Sequence, residues 1–559
     1  MNGEGWRRRL RAAGHSFVTS ARNPAVRRIQ LGFLGACTAE WAFTVVLSVY
    51  AFNEGGAEAV GVVSLLRMLP SALLAPFASA VADRWRRDLA LTLVSTVRCA
   101  TAIGVTLIVA GGGSAIAVYG LAILSTAASL LYRPVNSALL PLLSRTPAEL
   151  ASANIVRGLL DSVSTLVGPA LAAGLLAGGS TASGFAALAV VSGLSAAVRL
   201  GLRVEEPEHR TGRRSALSGL LRGAQVTIRT PQLRVMFLLI GAQTLTRGAL
   251  SVFSVLVAVD LLGMGEPGVG TLTAAVGAGA ILGSLLASMF VGNRGLAVWF
   301  GTGVAVWGAP LVVLAIVPSK AAALGLFALI GVGNALVDVG AFTLIARLAP
   351  ERVLARVYGL LECVGGAAVG AGSVLAAWVS STTSLKQSLV VIGIIGPALV
   401  LICWFSLRRL DDAMLARDED LRLLQRVSVF DPLPLPALEQ LAAGLRPRRV
   451  PAGETVYQQG DAADGCFIIE SGTAVVLGDG QPIASVGPGE LVGEIALLRQ
   501  VPRTATVRAA TEMDLRLLDA DRFVCVVTGW ETSREVTRGH VDELLDRFAP
   551  DASLRPEPD

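Results

Sequence analysis

Apolar runs of about 20 residues, long enough to cross a bilayer as helices, recur through the first 407 residues of the chain. They fall near 29–51, 58–81, 89–110, 115–142, 154–178 and 182–202. A polar, arginine-rich break follows at 203–232, and six more runs lie near 234–262, 268–291, 295–317, 321–346, 353–379 and 386–407. The pattern predicts twelve transmembrane helices in two six-helix bundles, over 29–203 and 233–407. The central linker is placed at 204–232 and a basic tail at 1–28. Residues 408–428 mix Arg408, Arg409, Asp411, Asp412, Arg417, Asp418, Glu419 and Asp420 with leucines, as a solvated helical linker does. Asp431-Pro-Leu-Pro-Leu-Pro436 then opens a soluble domain expected over 429–550, followed by a tail at 551–559. Within it, Val536, Val541, Leu544, Leu545 and Phe548 predict a helix near 531–548 by their spacing.

Loop charge sets the orientation. Arg84, Arg86 and Arg87, then Arg145, then Arg203, Arg210, Arg213 and Arg214, then Arg294, and finally Arg347, Arg352 and Arg356 mark every second loop. The alternate loops are nearly free of arginine. By the positive-inside rule both ends of a multi-pass protein of the cell (inner) membrane face the cytoplasm. The lead-in carries Arg7, Arg8, Arg9, Arg11, Arg22, Arg27 and Arg28 and reads as a tail lying on anionic lipid, not a cleaved signal. Only 16% of the 559 residues are charged, against about 25% in a typical soluble chain. The net charge of +5 comes from loop arginines, so nucleic-acid binding is not implied. Six scattered cysteines without a Cys-x-x-Cys pair give neither a disulfide framework nor a zinc site. Three histidines disfavour His-based metal chemistry. No nucleophile–base constellation suggests an enzyme, and no Gly-x-x-x-x-Gly-Lys loop suggests ATP, so gradient coupling is expected.

The two halves repeat. Gly158-Leu-Leu-Asp161 recurs as Gly359-Leu-Leu-Glu362, at the start of the fifth and eleventh spans, as parallel repeats in a carrier would place it. Over residues 24–407 the chain resembles the major facilitator superfamily. Ala82-Asp83-Arg84-Trp85-Arg86-Arg87 looks like its gating-loop motif between helices two and three, with Ser79 and Arg86 standing where the family has glycines. Leu166-Val-Gly-Pro-Ala170 resembles the fifth-helix motif of exporters, and Ser137-Ala-Leu-Leu-Pro141 with Ala153-Asn154 resembles the enterobactin-exporter-like branch.

Ionisable groups inside a membrane are costly and mark function by default. In that superfamily helices one, four, seven and ten line the cavity. Here they carry Glu40, Arg133, Arg247, and Asn334 with Asp338. Glu40 and Arg67 lie at similar midplane depths, so a Glu40–Arg67 pair is expected. Glu40 is the candidate proton-coupling or cation-binding carboxylate, against a static ion pair that only fixes packing. Asp161 and Glu362 read as gate or symmetry-related acids.

The most informative stretch lies near the C-terminus. Gly493-Glu-Ile-Ala-Leu-Leu, followed by Pro502-Arg-Thr-Ala-Thr506, reads as a turn, a short helix, a second turn and a strand. Gly493 leaves room for a phosphate at the backbone, the first N–H groups of the helix suit an anion, and Arg503 offers a fork for a phosphate. Glu494 can accept from a sugar hydroxyl. This cassette, with Pro451-Ala-Gly-Glu-Thr-Val-Tyr-Gln-Gln-Gly-Asp461 and Phe467-Ile-Ile-Glu-Ser-Gly472, resembles the cyclic nucleotide-binding domain family, a β-roll with flanking helices. The resemblance implies ligand contacts from Gly493, Glu494, Ile495, Ala496, Arg503, Thr504 and Ala505. It also implies a helix after the roll that closes over the base. The expected regulatory ligand is cAMP, with cGMP the alternative given Thr504. The chain's end at Asp559 leaves no helix-turn-helix, so a transcription factor is not expected.

The whole reads as a secondary active transporter, an exporter and proton-coupled, regulated by a cytoplasmic cyclic nucleotide. Its expected partners are a small-molecule substrate, protons and the bilayer. The rival readings are a transport-dead membrane receptor and a lipid flippase on the same fold.

Overall fold

A computed structural model describes residues 23–82, 87–130, 132–143, 147–198, 216–290, 295–349, 351–431, 433, 435–442 and 444–528. The basic tail up to residue 22, Asp83 and Arg84 of the loop motif, and the helix expected near 531–548 lie outside the described residues. Two compact units divide the chain, Met1–Asp411 and Asp412–Asp559.

In the first unit each of the twelve expected spans is met by helix, as a mostly apolar chain must fold to satisfy its backbone within lipid. Helix α1 (Pro24–Ala82) holds the first two spans. It opens with proline at its first position. The Asn23 Oδ1 before it accepts from the N–H groups of Ala25 and Val26 at 3.0 and 3.4 Å. It breaks at Gly55 and Gly56, the latter at φ 62°, where the chain turns back. Next come α2 (Arg87–Ala110), α3 (Ala115–Ser129), α4 (Tyr132–Leu143), α5 (Pro147–Gly178) and α6 (Thr181–Ala197). The fourth span is thus two helices, not one run over 115–142.

The polar break contains a helix of its own, α7 (Ala216–Arg229), whose leucines and arginines segregate to opposite faces. The second bundle is α8 (Pro231–Leu256, closing in a π turn at Val257–Leu261), α9 (Glu266–Phe290), α10 (Leu296–Ile316), α11 (Lys320–Leu348), α12 (Glu351–Thr382), α13 (Leu385–Gly393) and α14 (Ile395–Leu424). The last span breaks at Ile394 because the ring of Pro397 would clash with the carbonyl of Gly393, four residues back.

The bundles meet where α12 packs on the second part of α1 and α9 packs on α5. The approach is backbone against backbone. A Cβ at Gly270 would stand 2.6 Å from the Pro169 carbonyl oxygen, and one at Gly61 would stand 3.0 Å from that of Ser373. The Ser373 hydroxyl donates to the Gly61 carbonyl at 3.1 Å, and Asn53 Nδ2 donates to Glu266 Oε1 at 2.8 Å between two loop ends. Gly168 belongs to the same class of contact: it lets α5 press on Trp41 and Thr38 of α1, while Pro169 is carried inside α5 without ending it.

The second unit begins in the last turns of α14 and continues through α15 (Leu435–Ala442) to strands β1 (Arg446–Val450), β2 (Thr455–Tyr457), β3 (Gly465–Ser471), β4 (Ala474–Gly478), β5 (Gln481–Val486), β6 (Leu491–Val492), β7 (Thr506–Ala509) and β8 (Met513–Asp519). Helix α16 (Glu494–Arg499) interrupts the strands, and α17 (Ala520–Thr528) follows them. Two four-stranded antiparallel sheets form, in the orders β1-β8-β3-β6 and β2-β7-β4-β5.

Strand β3 separates two cores by its period of two. Phe467 and Ile469 face Val456, Val492, Val507 and Leu515 between the sheets. Cys466 and Ile468 face a helical layer of Leu423, Leu424, Phe430, Leu441, Leu497 and Phe523. All four are essentially inaccessible to solvent, each worth roughly 1.5–3 kcal/mol of burial for the larger side chains.

Candidate functional site

In the second unit, β6 ends at Val492 and the chain turns through Gly493 at φ 88° into α16. Only glycine holds that backbone without strain, and a Cβ there would collide with Arg503 Nη1. The glycine therefore makes room for the arginine. Arg503 is 2% exposed. Its Nη1 donates to the Gly493 carbonyl at 2.9 Å, and its Nη2 donates to the Gly465 carbonyl at 2.6 Å and to Asp464 Oδ1 at 2.9 Å. The guanidinium lies over the Tyr457 ring, 4.3 Å from its centre, a cation–π contact. Its backbone N–H donates to the Asp461 carbonyl, and its carbonyl accepts from the Gly460 N–H. Two turns from opposite ends of the cassette are thereby pinned together.

Glu494 opens α16 with its side chain 3% exposed. Burial pushes its carboxyl up to about 7, opposed by its own backbone N–H and then by Arg503. Burial, and next the Glu494 charge, push the Tyr457 phenol well above its ordinary value, and burial does the same to the Cys466 thiol. Glu494 Oε2 and Arg503 Nε are buried without a hydrogen-bond partner. Among the described residues of this unit they are the two side-chain atoms in that condition. One is an acceptor and the other a donor.

Ala496 is buried within α16 and Ile495 half-buried beside it; Thr504 and Ala505 lie half-buried in the turn after Arg503. Thr506, one position further, accepts from the Gln459 N–H at 2.9 Å. Asp464 and Tyr457, which fix the arginine, were not singled out in the sequence. Their signal is weak: an acid before an apolar strand, and an aromatic on the opposite face from Val456.

In the first unit the structure redistributes the expected partners. Glu40 Oε2 lies 3.6 Å from Arg98 Nη1, so the expected Glu40–Arg67 pair is replaced by Glu40–Arg98. Arg67 is near enough to feel the Glu40 charge, but its donors go to hydroxyls: Nε to Thr126 Oγ1 at 3.1 Å, Nη1 and Nη2 to Thr44 Oγ1 at 3.4 and 3.3 Å. Arg98 is a lone charge in the middle of an apolar run, and that was the signal for it.

A second cluster draws on both bundles. Asn334 Nδ2 donates to Asp338 Oδ2 at 2.8 Å. The charges acting on Asp338 are Arg247, Asp161 and Glu362. The two acids of the repeated Gly-Leu-Leu-acid segments thus converge on one carboxylate. Asp338, Arg247 and Glu362 are open to solvent and Asp161 is half-buried. Arg133 lies in α4, and the placement of its side chain is outside the described residues. No group of three metal-ligating side chains suited to an ion occurs among the described residues.

The comparisons with known proteins also divide the chain in two, at 445–447, within the second unit. The Major Facilitator Superfamily model matches residues 30–265 and 236–445, and the cyclic nucleotide-binding domain model matches 447–527. Among solved structures, the nucleoside transporter NupG (D323A mutant) superposes with a TM-score of 0.57 over 69% of this chain and 100% of its own, at 12% identity, a likeness of fold. Among curated proteins, the acetyltransferase Pat of Mycolicibacterium smegmatis is 46% identical over 21% of this chain and 33% of its own length. A cyclic nucleotide-gated potassium channel of Rhizobium etli is 39% identical over 18% and 28%. The chain spans a third or less of those relatives, so they speak only for the shared segment. It is a multi-pass membrane protein of the Major Facilitator Superfamily, joined in one polypeptide to a cyclic nucleotide-binding domain.

Proposed function

We propose that this protein is a secondary transporter whose activity is set by a cyclic nucleotide bound on the cytoplasmic side. The observation that carries the reading is the pair of buried, unpartnered atoms in the cassette. A ribose hydroxyl is the natural donor for Glu494 Oε2, and a phosphate oxygen is the natural acceptor for Arg503 Nε. A cyclic nucleotide presents both on one rigid ring. The ligand of choice is cAMP, with Thr504 admitting cGMP. Gly493, Ile495, Ala496 and Ala505 supply backbone around it.

Transport proceeds by rocking of the two bundles about a central site. Glu40, Arg67, Asp161, Arg247, Asn334, Asp338 and Glu362 are its polar lining, with Arg133 a further candidate. Export with proton coupling is the favoured direction and energy source, Glu40 being the candidate proton carrier. The messenger biases the carrier only by its differential affinity for the two states. The carrier reading is preferred over a transport-dead receptor because charged groups persist in both bundles at a cost that packing alone does not repay.

The test uses the purified full-length protein. Micromolar cAMP should bind by calorimetry, and Arg503→Ala should abolish the binding while leaving the protein monodisperse. In proteoliposomes, a pH-gradient-driven flux should change on adding cAMP to the side bearing the C-terminus. Retained binding in Arg503→Ala would overturn the site, and a flux indifferent to saturating nucleotide would overturn the regulation.

A further inference from the structure

In the first bundle, α1, α2, α3 and α6 surround a cavity of about 20 Å³ lined by Glu40, Phe43, Arg67, Arg98, Ser125 and Thr126, among others. That volume suits about one water-sized group. The charges facing it are two guanidiniums and one carboxylate, a net charge of +1 in the interior of a membrane bundle. Both arginines are more than nine-tenths buried, and the one carboxylate at hand, Glu40, stands 3.6 Å from Arg98, beyond hydrogen-bond distance. Arg67 gives its N–H groups to neutral hydroxyls, two of them at 3.3 and 3.4 Å. Arg98 Nη2 donates to the Ala36 carbonyl at 2.7 Å, while Nη1 has no hydrogen-bond partner and stands 3.6 Å from Glu40. The rings of Phe43 and Tyr132, each 5.7 Å from a guanidinium carbon, supply only the weak negative face of an aromatic.

Arginine does not shed its proton to relieve such a site, so relief must come from an added negative charge. Glu40 is 40% exposed along its side chain, so the cavity is open on that side. We propose that this cavity is a binding site for one small monovalent anion, shared between Arg67 and Arg98, with Glu40 as its competitor. The anion is a free halide or the carboxylate of a larger solute entering past Glu40. The Ser125 hydroxyl completes its coordination by turning its hydrogen inward.

Thermal unfolding of the full-length protein in detergent, without nucleotide and at constant ionic strength, tests this. Chloride, bromide and acetate are titrated against methanesulfonate, which is too bulky for the cavity. A saturable rise in melting temperature with the halides identifies the free ion, and a rise with acetate alone identifies a solute carboxylate. Glu40→Gln raises the local charge to +2 and should lower the half-saturating concentration by about tenfold. Arg98→Gln should remove the saturable response, and Arg98→Lys should keep a weaker one. If Arg98→Gln does not fold, the Glu40→Gln comparison decides. The proposal falls if methanesulfonate acts as well as the small anions, if no anion gives a saturable response, or if Glu40→Gln leaves half-saturation unchanged or higher. Because the readout is binding without nucleotide or flux, its failure leaves the regulatory reading standing.

Discussion

Glu494 has a buried carboxyl whose folded-state value, about 7, stands above its ordinary 4.5. An acid shifted upward binds more protons folded than unfolded between those values, so its contribution to stability falls as pH rises from 4.5 to 7. The unliganded protein should therefore melt lower at pH 8 than at pH 5.5. Glu494→Gln should flatten that difference and stabilise the empty cassette at pH 8, by on the order of 3 kcal/mol at most. The same substitution should weaken cAMP binding, since an amide is a poorer acceptor for the ribose hydroxyl. Melting curves at the two pH values with and without ligand check both signs. Arg503→Lys keeps the charge but loses the fork that reaches the Gly493 and Gly465 carbonyls together, and its cAMP affinity should drop on the order of 100-fold by calorimetry. These two residues were legible in the sequence because the cassette is local: its spacing alone brings them together. Asp464 and Tyr457 were not, because each acts across strands that sequence order does not pair. Arg98 stands as a lone charge in an apolar run, but its pairing with Glu40 on another helix was not legible.

At the level of elements, hydropathy read the spans well because each must bury about 20 residues in lipid. It read their interruptions badly. The break at Ile394 depends on one proline, and α7 hid in an arginine-rich stretch whose amphipathic period was masked by its charge. The two faces of β3 were not legible, because Cys466-Phe-Ile-Ile469 is a continuous apolar run, and the order of strands in each sheet is not a local property. The close crossing of α9 on α5 makes a sharp expectation. Gly270→Val should destabilise the packing seen here by about 1–3 kcal/mol, lowering the melting temperature of the detergent-solubilised protein and slowing any flux that passes through this arrangement. Within the second unit, Arg516 Nε donates to Asp420 Oδ1 at 2.8 Å and its Nη1 pairs with Glu470 at 3.1 Å. This fastens the end of α14 to β8.

At the scale of the whole molecule, that fastening becomes a prediction about regulation. Leu423 and Leu424 of α14 share a core with Leu491, just before the cassette, and Leu497 within it, so a moved cassette cannot leave the helix end unaffected. Asp420→Asn should leave cAMP affinity within about threefold of wild type, as a partly exposed pair is worth little by itself. It should nonetheless reduce the change in flux that the nucleotide produces, which paired binding and proteoliposome measurements would show.

Between the bundles, Gly61 and Gly270 present peptide groups where most proteins would interlock side chains. Parting the surface at these two glycines costs contact but frees few rotamers, and closing it again freezes few. The entropy toll that usually slows a protein interface each time it re-forms is therefore reduced there, and the pace of a turnover should be set by the buried charges that must change company.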